Sequence, residues 1–526
     1  MVVVEYQYNE MKKHINLSVN EVVDNLSNIG APSEYDKETG MIVSEITPNR
    51  PDWYSVEGLA RSLKIYSFGK IPKYSVKKSD YKVVVENSGM PYRPYTVSLV
   101  VKGLKLDDQK IKDLVSLQEK LSNTLGRKRK KFGLGFYPLE QIAFPIRYTS
   151  MKKEEVFYTP LDFESDLSAQ EVLQKHKKGI EYGYIIRDNP KYPVFIDAKN
   201  RIMCLIPLVN SALTGKVDVN TKEIFVEVTG TEMNSIEHAL NIIACTLSDM
   251  GGELYEVTVD YGKTKHKYPN LEAKKMKIDV KKASSLLGID LTSSEIKKLL
   301  EKMGYGLVGS QVLIPPYRAD VLDFVDIIED IAIAYGYNNF KPTMPDFFNA
   351  GKVDRTNEKY DNALRGMGFL EIKTFILTNK SKLEAVFNKE KVVEILNPSN
   401  EEYTIIRPVV IQEFLEVLSI NKTKGLPQKL YEIGLVQKSK TEKRLVFAIM
   451  DKKLEFSDVR GYLQTLSYET GNEYVLDKQE NQMFEQQTST RVMNKGRVVG
   501  FFGQVKKEVL GKFGIEFDVY VCEMEL

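Results

Sequence analysis

Apolar residues change their spacing repeatedly along this chain. Runs with the 3.6-residue period of an amphipathic helix alternate with runs of the two-residue period of a strand, and no internal repeat or low-complexity linker separates them. Such patterning predicts a mixed α+β protein. At 526 residues the chain is too long for one hydrophobic core, so several domains are expected. No apolar run approaches the roughly 20 residues that span a bilayer. The start, MVVVEYQYNEMKK, has no basic leader followed by a long apolar stretch. Cys204, Cys245 and Cys522 are far apart with no paired metal spacing, which points to a reducing cytoplasmic setting without structural zinc. A net charge of +2 means that any nucleic-acid contact must come from local patches.

Pattern changes divide the chain into residues 1–80, 81–265, 270–345 and 346–526. In the first, a helix over 18–29 precedes a turn at 47–52, and Asp52 or Ser55 caps the next helix. In the second, strands are read at 95–101, 132–136, 194–197, 202–207 and 224–228, with helices at 107–125 and 233–250. The third carries a short strand at 277–279 and helices at 280–287, 293–303 and 324–335. Ser293 or Ser294 caps the second of these helices, and Gly304 ends it. The last has strands at 371–377, 428–433, 444–450, 497–505 and 519–526 and helices at 357–366 and 409–421. This reads as an antiparallel sheet flanked by helices.

Several stretches carry a family resemblance, and their order along the chain gives it weight. They are Thr47-Pro48-Asn49-Arg50-Pro51-Asp52 with Ser55-Val56-Glu57-Gly58-Leu59-Ala60, Gly126-Arg127 with its basic run, and Tyr192-Pro193-Val194-Phe195-Ile196-Asp197. Pro207-Leu208-Val209-Asn210-Ser211, Val228-Thr229-Gly230-Thr231-Glu232, Tyr317-Arg318-Ala319-Asp320 and Ile333-Ala334-Tyr335-Gly336-Tyr337 follow. Leu396-Asn397-Pro398-Ser399, Glu401-Glu402-Tyr403-Thr404 and Leu430-Tyr431-Glu432-Ile433-Gly434 complete the set. Together they resemble the archaeal and eukaryotic type of phenylalanine–tRNA ligase β subunit. The resemblance implies a heteromeric ligase that uses ATP and Mg²⁺. This chain would pair with an α subunit as an α₂β₂ heterotetramer on tRNA(Phe), in the cytoplasm.

The resemblance further implies that residues 346–526 copy a class II synthetase core. A working core needs a late glycine-rich segment ending in arginine, because positive charge must stabilise the phosphate as pyrophosphate leaves. Here Gly500 and Gly503 lead to Gln504 and Val505, and Arg497 precedes them. Adenylate chemistry is therefore expected in the α subunit, and the glycines are read as ordinary strand or turn positions.

A pocket shaped for phenylalanine rejects an added hydroxyl poorly, so a second, hydrolytic site is expected to remove tyrosine. The resemblance puts that site in residues 81–265. Glu227 and Thr229 are two apart, so on a strand they share a face. With Ser211, Asn210 and Thr231 they offer a carboxylate and hydroxyls for a phenol and a water. The alternative is turn chemistry, since Asn-Ser and Thr-Gly-Thr are common turn formers. His238, on an apolar helix, is read as structural.

Arg127, Lys128, Arg129 and Lys130, continued by Lys131, form a basic run that can meet tRNA phosphate or simply be a solvated loop. Asp326, Glu329 and Asp330 lie at i, i+3 and i+4 on one helix face, with Asp320 in the preceding loop. They are candidate Mg²⁺ ligands, a role the resemblance also implies, at a site shared with the α subunit. Acids favouring a helix N-terminus are the competing explanation. Like charges this close call for a bound cation or an arginine partner. Two other functions compete with the ligase subunit: a free-standing hydrolase of mischarged tRNA, and a non-enzymatic nucleic-acid-binding protein built on residues 270–345.

Overall fold

The computed structural model describes residues 2–86, 92–344 and 351–526. Two compact units emerge, Met1–Met344 and Pro345–Leu526. The domain boundary expected at residue 345 lies outside the described residues. Several separate sheets, each with its own helices, make this an α+β multidomain protein. Among the described residues no helix is long and apolar enough to cross a membrane.

The first unit opens with a three-stranded antiparallel sheet, Val2–Gln7, Met41–Ile46 and Ser33–Asp36 in spatial order. Helix Val19–Asn28 starts in a capping box between Ser18 and Glu21. Helix Val56–Phe68 is capped by Ser55, which accepts from the Gly58 N–H. Asp52 is committed elsewhere: it forms a buried bidentate pair with Arg50 at 2.9 and 2.8 Å, and that guanidinium lies 3.4 Å from the Trp53 ring centre. A Cβ at Gly58 would sit 1.8 Å from the Asp52 carbonyl oxygen, so this docking requires glycine. From the same helix, Arg61 reaches Asp249 at 2.6 Å and covers the Tyr317 ring at 4.1 Å. One buried guanidinium thus ties three stretches of the unit together.

An eleven-stranded sheet dominates the unit. One end runs Glu253–Asp260, Tyr95–Lys102, Ile224–Gly230 and Phe132–Pro138, all antiparallel. The other end runs through Ile146–Lys152 and Lys191–Ile196 to Ile202–Leu205 and Val209–Asn210. Helix Met233–Asp249, buried along most of its length, packs on the sheet. Helix Asp108–Asn123 covers the terminal strand Phe132–Pro138.

A small three-stranded sheet follows, with helices Val280–Leu287, Ser293–Lys302 and Phe324–Tyr335. Two local expectations change here. The strand expected at 277–279 is Lys274–Lys277, because the Asp279 carboxylate turns back to cap the next helix through the N–H groups of Lys281 and Lys282. The cap of helix Ser293–Lys302 is Thr292, not Ser293 or Ser294, because only Thr292 stands three residues before Glu295 and can close a capping box.

The second unit is a seven-stranded sheet with apolar clusters on it. Its order is Leu370–Glu371, Gln428–Gln437, Thr441–Asp451, Asp518–Glu525, Arg497–Gln504, Thr490–Asn494 and Tyr474–Lys478. Only the Leu370–Glu371 edge pairs in parallel. The strand expected at 371–377 breaks into Leu370–Glu371 and Leu377–Thr378. Between them Thr374 bends inward, and both its N–H (3.1 Å) and its hydroxyl (2.6 Å) donate to Glu432. Helix Phe456–Thr470 was not expected from the pattern: its buried face is only Val459, Leu463, Leu466 and Thr470 in an otherwise polar run.

Candidate functional site

A cavity of about 340 Å³ opens beside the terminal strand Phe132–Pro138 of the large sheet. Leu114 of helix Asp108–Asn123, Leu134, Phe136, Ile206, Leu208 and Ile224 give it apolar walls. Glu227, Thr229 and Asn210 also line it, so a few polar groups converge in an apolar concavity.

Strand register explains this convergence. Glu227 lies opposite Gly135 on one side and Ser98 on the other, and Thr229 lies opposite Gly133 and Thr96. Directly paired residues share a sheet face, so all six positions point the same way. Two of them carry no side chain. A Cβ at Gly135 would fall 2.8 Å from Glu227 Oε1 and 2.9 Å from the Tyr137 hydroxyl, and one at Gly133 would fall 2.8 Å from Pro207 Cβ. Glycine at these strand positions leaves room for the carboxyl group and for the 207–208 segment.

Glu227 is fully enclosed. Burial raises its pKa to about 8, and Arg93 and Tyr137 pull it back only in part. Its Oε1 faces the Tyr137 hydroxyl at 3.4 Å, while Oε2 has no hydrogen-bond partner among the described residues. Tyr137 donates to Asn210 Oδ1 at 3.1 Å, and Asn210 Nδ2 donates to the Phe136 carbonyl at 3.2 Å. On the same sheet face, outside the cavity lining, Thr96 Oγ1 and Ser98 Oγ are also buried and unpartnered among the described residues. A lining carboxyl oxygen this short of partners suits a polar atom from a ligand or from water. His176, at the rim, is no free base: its Nδ1 accepts from the Lys178 N–H and its Nε2 lies 3.2 Å from the Leu161 carbonyl.

Comparison with known proteins bears on the whole chain. Residues 342–526 match the family model described as the phenylalanyl tRNA synthetase beta chain CLM domain, and residues 276–337 match the tRNA synthetase B5 domain. The phenylalanine–tRNA ligase beta subunit of Archaeoglobus fulgidus is 34% identical, over 100% of this chain and 98% of its own. That of Thermococcus onnurineus is 35% identical over 91% of this chain and 89% of its own. The chain belongs to the phenylalanine–tRNA ligase beta-subunit family. Its first unit also has a solved relative: an N-terminal fragment of the Pyrococcus horikoshii phenylalanyl-tRNA synthetase beta subunit. That fragment is 32% identical, covers 64% of this chain and 99% of its own length, and has a TM-score of 0.60.

Within this β-subunit fold, the residues singled out in the sequence separate into groups. Glu227, Thr229 and Asn210 meet at the cavity. Ser211 does not: it is buried facing a second groove beside Thr159 and Arg147, and its hydroxyl accepts from the Leu213 N–H in a tight turn. Thr231 lies outside, exposed and bonded to the Lys131 carbonyl, and half-buried His238 is not among the cavity-lining residues. For Ser211 and Thr231 the turn chemistry of the sequence is what the structure uses. Arg93, Gly133 and Gly135 went unnoticed in the sequence. The signal was Gly133-Leu134-Gly135 inside a strand, a pattern that marks close approach of another group.

The basic run splits as well. Arg127, Lys128 and Arg129 all have left-handed backbone, with φ of 49°, 52° and 65°. This conformation costs L-residues about 1–2 kcal/mol each. It turns their N–H groups back onto the carbonyls of Thr124, Asn123 and Ser122 at the end of helix Asp108–Asn123. Arg127, Lys128 and Lys130 are exposed, whereas Arg129 is buried. Its guanidinium donates to the Pro207 and Leu208 carbonyls at 2.8 and 2.9 Å and to Glu119 at 2.7 Å, and stacks 4.7 Å from the Tyr182 ring centre. The expectation that Arg129 meets phosphate is therefore corrected: its donors are taken up inside the protein.

The acidic cluster needs a larger correction. Among the described residues no group of three or more His, Cys, Asp or Glu side chains could hold a metal ion. Asp326 closes the capping box of helix Phe324–Tyr335, accepting from the N–H groups of Leu322 and Asp323 at 2.7 and 2.8 Å. Glu329 is exposed. Asp320 and Asp330 do meet, but across Arg318. That guanidinium holds Asp320 in a bidentate pair at 2.8 and 2.7 Å and reaches Asp330 at 2.7 Å, while Tyr305 donates to Asp330 as well. The cation that the carboxylates require is an arginine, and as they stand the four acids do not fit Mg²⁺.

Proposed function

We propose that this chain is the partner and proofreading subunit of a heteromeric phenylalanine–tRNA ligase, with the ATP- and Mg²⁺-dependent adenylation carried by an α subunit in an α₂β₂ assembly in the cytoplasm. On this reading residues 1–80, 81–265 and 270–345 are an N-terminal, an editing and a small helical domain. Residues 346–526 are a class II-like core turned to assembly. The packing of the late glycines supports that last role. A Cβ at Gly500 would lie 2.1 Å from the Glu523 carbonyl oxygen, and one at Gly503 would lie 2.8 Å from the Phe484 ring, so both glycines serve strand packing. Arg497 is exposed and pairs with Glu525.

One observation carries the proofreading role: the unpartnered, fully buried Oε2 of Glu227 beside Thr229 in an apolar-walled cavity. Apolar walls suit an aromatic ring, and the polar groups suit a hydroxyl at its far end. Tyrosine esterified to tRNA(Phe) satisfies both, whereas phenylalanine leaves the floor unpaired. The exposed Arg127, Lys128 and Lys130 beside the cavity supply charge for the tRNA backbone.

The test is deacylation of Tyr-tRNA(Phe) and charging of tRNA(Phe) with phenylalanine, by this chain alone and with its α partner. Charging only in the mixture, with release of tyrosine abolished by Glu227→Ala, is the expected result. Charging by this chain alone would overturn the assignment of adenylation. Deacylation by the chain alone, with no complex formed, would favour the free-standing hydrolase.

A further inference from the structure

Arg93 immediately precedes strand Tyr95–Lys102 and is among the largest fully buried side chains of the molecule. Its donors go to neutral oxygens. Nε donates to Thr229 Oγ1 at 3.1 Å, Nη2 to the Thr229 carbonyl at 2.9 Å, and Nη1 to the Arg129 carbonyl at 3.3 Å. Its own carbonyl accepts from the Tyr148 hydroxyl at 2.7 Å. Gly133 keeps space open beside it, since a Cβ there would approach Nη2 to 3.4 Å. A buried guanidinium whose donors meet only neutral oxygens, two of them on one threonine, is costly unless that threonine must be held in one state.

A hydroxyl has one proton and two lone pairs. With Arg93 donating to Thr229 Oγ1, the threonine proton must point elsewhere, and among the described residues it has no acceptor. Tyr137 spends its proton on Asn210, and Glu227 Oε2 has no partner among the described residues. The Thr229 hydroxyl and the Glu227 carboxyl oxygen therefore both line the cavity without a full set of partners.

We propose that Arg93 is a positioning residue that fixes the polarity of the cavity floor. By filling one of the two Thr229 lone pairs it fixes the direction of the threonine hydroxyl beside the unpartnered Glu227 carboxyl oxygen, so the floor takes a ligand hydroxyl, which both donates and accepts, and rejects an unsubstituted ring. This rests on the proofreading reading for its biological substrate, but the polarity of the floor can be read without hydrolysis.

Binding of L-tyrosinol and L-phenylalaninol to the full-length chain is measured by calorimetry, and deacylation of Tyr-tRNA(Phe) and Phe-tRNA(Phe) is measured with the α partner present. The wild type should prefer tyrosinol roughly 5- to 150-fold, the range set by one unpaired buried polar group. Arg93→Met and Thr229→Val should each reduce that preference to about twofold or less, the double variant should be no worse than either alone, and Arg93→Lys should restore part of it. Phenylalanine charging should be unchanged throughout. Should Arg93→Met fail to fold, Arg93→Lys and Thr229→Val test the same prediction. A wild type that does not prefer tyrosinol, a Thr229→Val variant that keeps the full preference, or an Arg93 variant that loses thermal stability while the preference stays intact would each overturn the proposal. Preference for tyrosinol without deacylation of Tyr-tRNA(Phe) would sink the proofreading reading and leave the polarity of the floor standing.

Discussion

Gly135 and Glu227 face each other on paired strands so closely that a methyl group on the first would lie 2.8 Å from Oε1 of the second. The carboxyl group occupies space that the neighbouring residue vacates. Gly135 has no left-handed backbone to accommodate, so alanine there meets a steric constraint and not a conformational one.

Gly135→Ala should therefore disturb the site more than the fold. The methyl group pushes the Glu227 carboxyl and the Tyr137 hydroxyl apart, and release of tyrosine from tRNA(Phe) should fall about tenfold or more, the effect of a misplaced polar partner. Charging with phenylalanine should stay at the wild-type level. Equal loss of both activities would show that the strand itself had been disrupted.

The pH dependence of stability should report Glu227. Its carboxyl group titrates near 4.5 when free and near 8 in the native protein, because burial disfavours the charged form. Between those values the native state holds the proton and the unfolded chain does not, so stability from this group is fully present below about pH 4.5 and is lost as pH rises through 8. Glu227→Gln removes the titration. The variant should gain on the wild type by roughly 3–5 kcal/mol between pH 4.5 and pH 8, followed by urea unfolding. A constant difference across that range would contradict the assignment.

Salt dependence should separate the basic residues. Replacing exposed Arg127, Lys128 or Lys130 with glutamine should weaken tRNA binding and lower the slope of log Kd against log salt by about 0.7–0.9 for each phosphate no longer neutralised. Arg129→Gln should instead lower thermal stability, because the Pro207 and Leu208 carbonyls and Glu119 lose their donor. A change in slope for Arg129→Gln like that of its neighbours would place its side chain on the RNA.

The Arg318 cluster makes a prediction about metal. Millimolar Mg²⁺ or a chelator should leave the melting temperature of the chain unchanged, since Arg318 already neutralises Asp320 and Asp330. Arg318→Met should cost about 3–5 kcal/mol by leaving the two buried carboxylates without their partner. A clear rise in melting temperature of the wild type on adding Mg²⁺ would show that the carboxylates rearrange around the ion.

In the second unit, Arg407 and Glu432 form a buried pair at 2.7 Å, with Thr374 hydrogen-bonded to both. Arg407→Met alone should destabilise that unit by about 3–5 kcal/mol, and the double change with Glu432→Leu should recover much of the loss. Chemical denaturation of the three proteins measures it. Additive losses would mean that the two side chains act independently.

Much of this molecule could be read from periodicity, because amphipathic runs such as Val19–Asn28 and Ser293–Lys302 bury the faces their spacing implies. Glu227 and Thr229 were legible for the same reason, since a shared strand face follows from counting by two. What sequence spacing cannot supply is the partner of a charge. Arg129 and Arg127 look alike in a basic run, yet one is folded inward by three left-handed residues. Asp320, Asp326, Glu329 and Asp330 look like one cluster, yet a helix cap claims one and an arginine two residues from the first claims two more. The strand expected at 371–377 failed similarly, because Thr374 is drawn to a glutamate 58 residues away.

The bare face that Gly133 and Gly135 give their strand also bears on how the sheet finds its alignment. At these two positions only hydrogen atoms face Thr229 and Glu227, so neither residue resists sliding. Leu134 supplies the check, because a one-residue slip exchanges the faces and drives its side chain into the Glu227 carboxyl. The same three residues that open the site thus act as a ratchet on strand pairing, admitting the native alignment and penalising its nearest competitor.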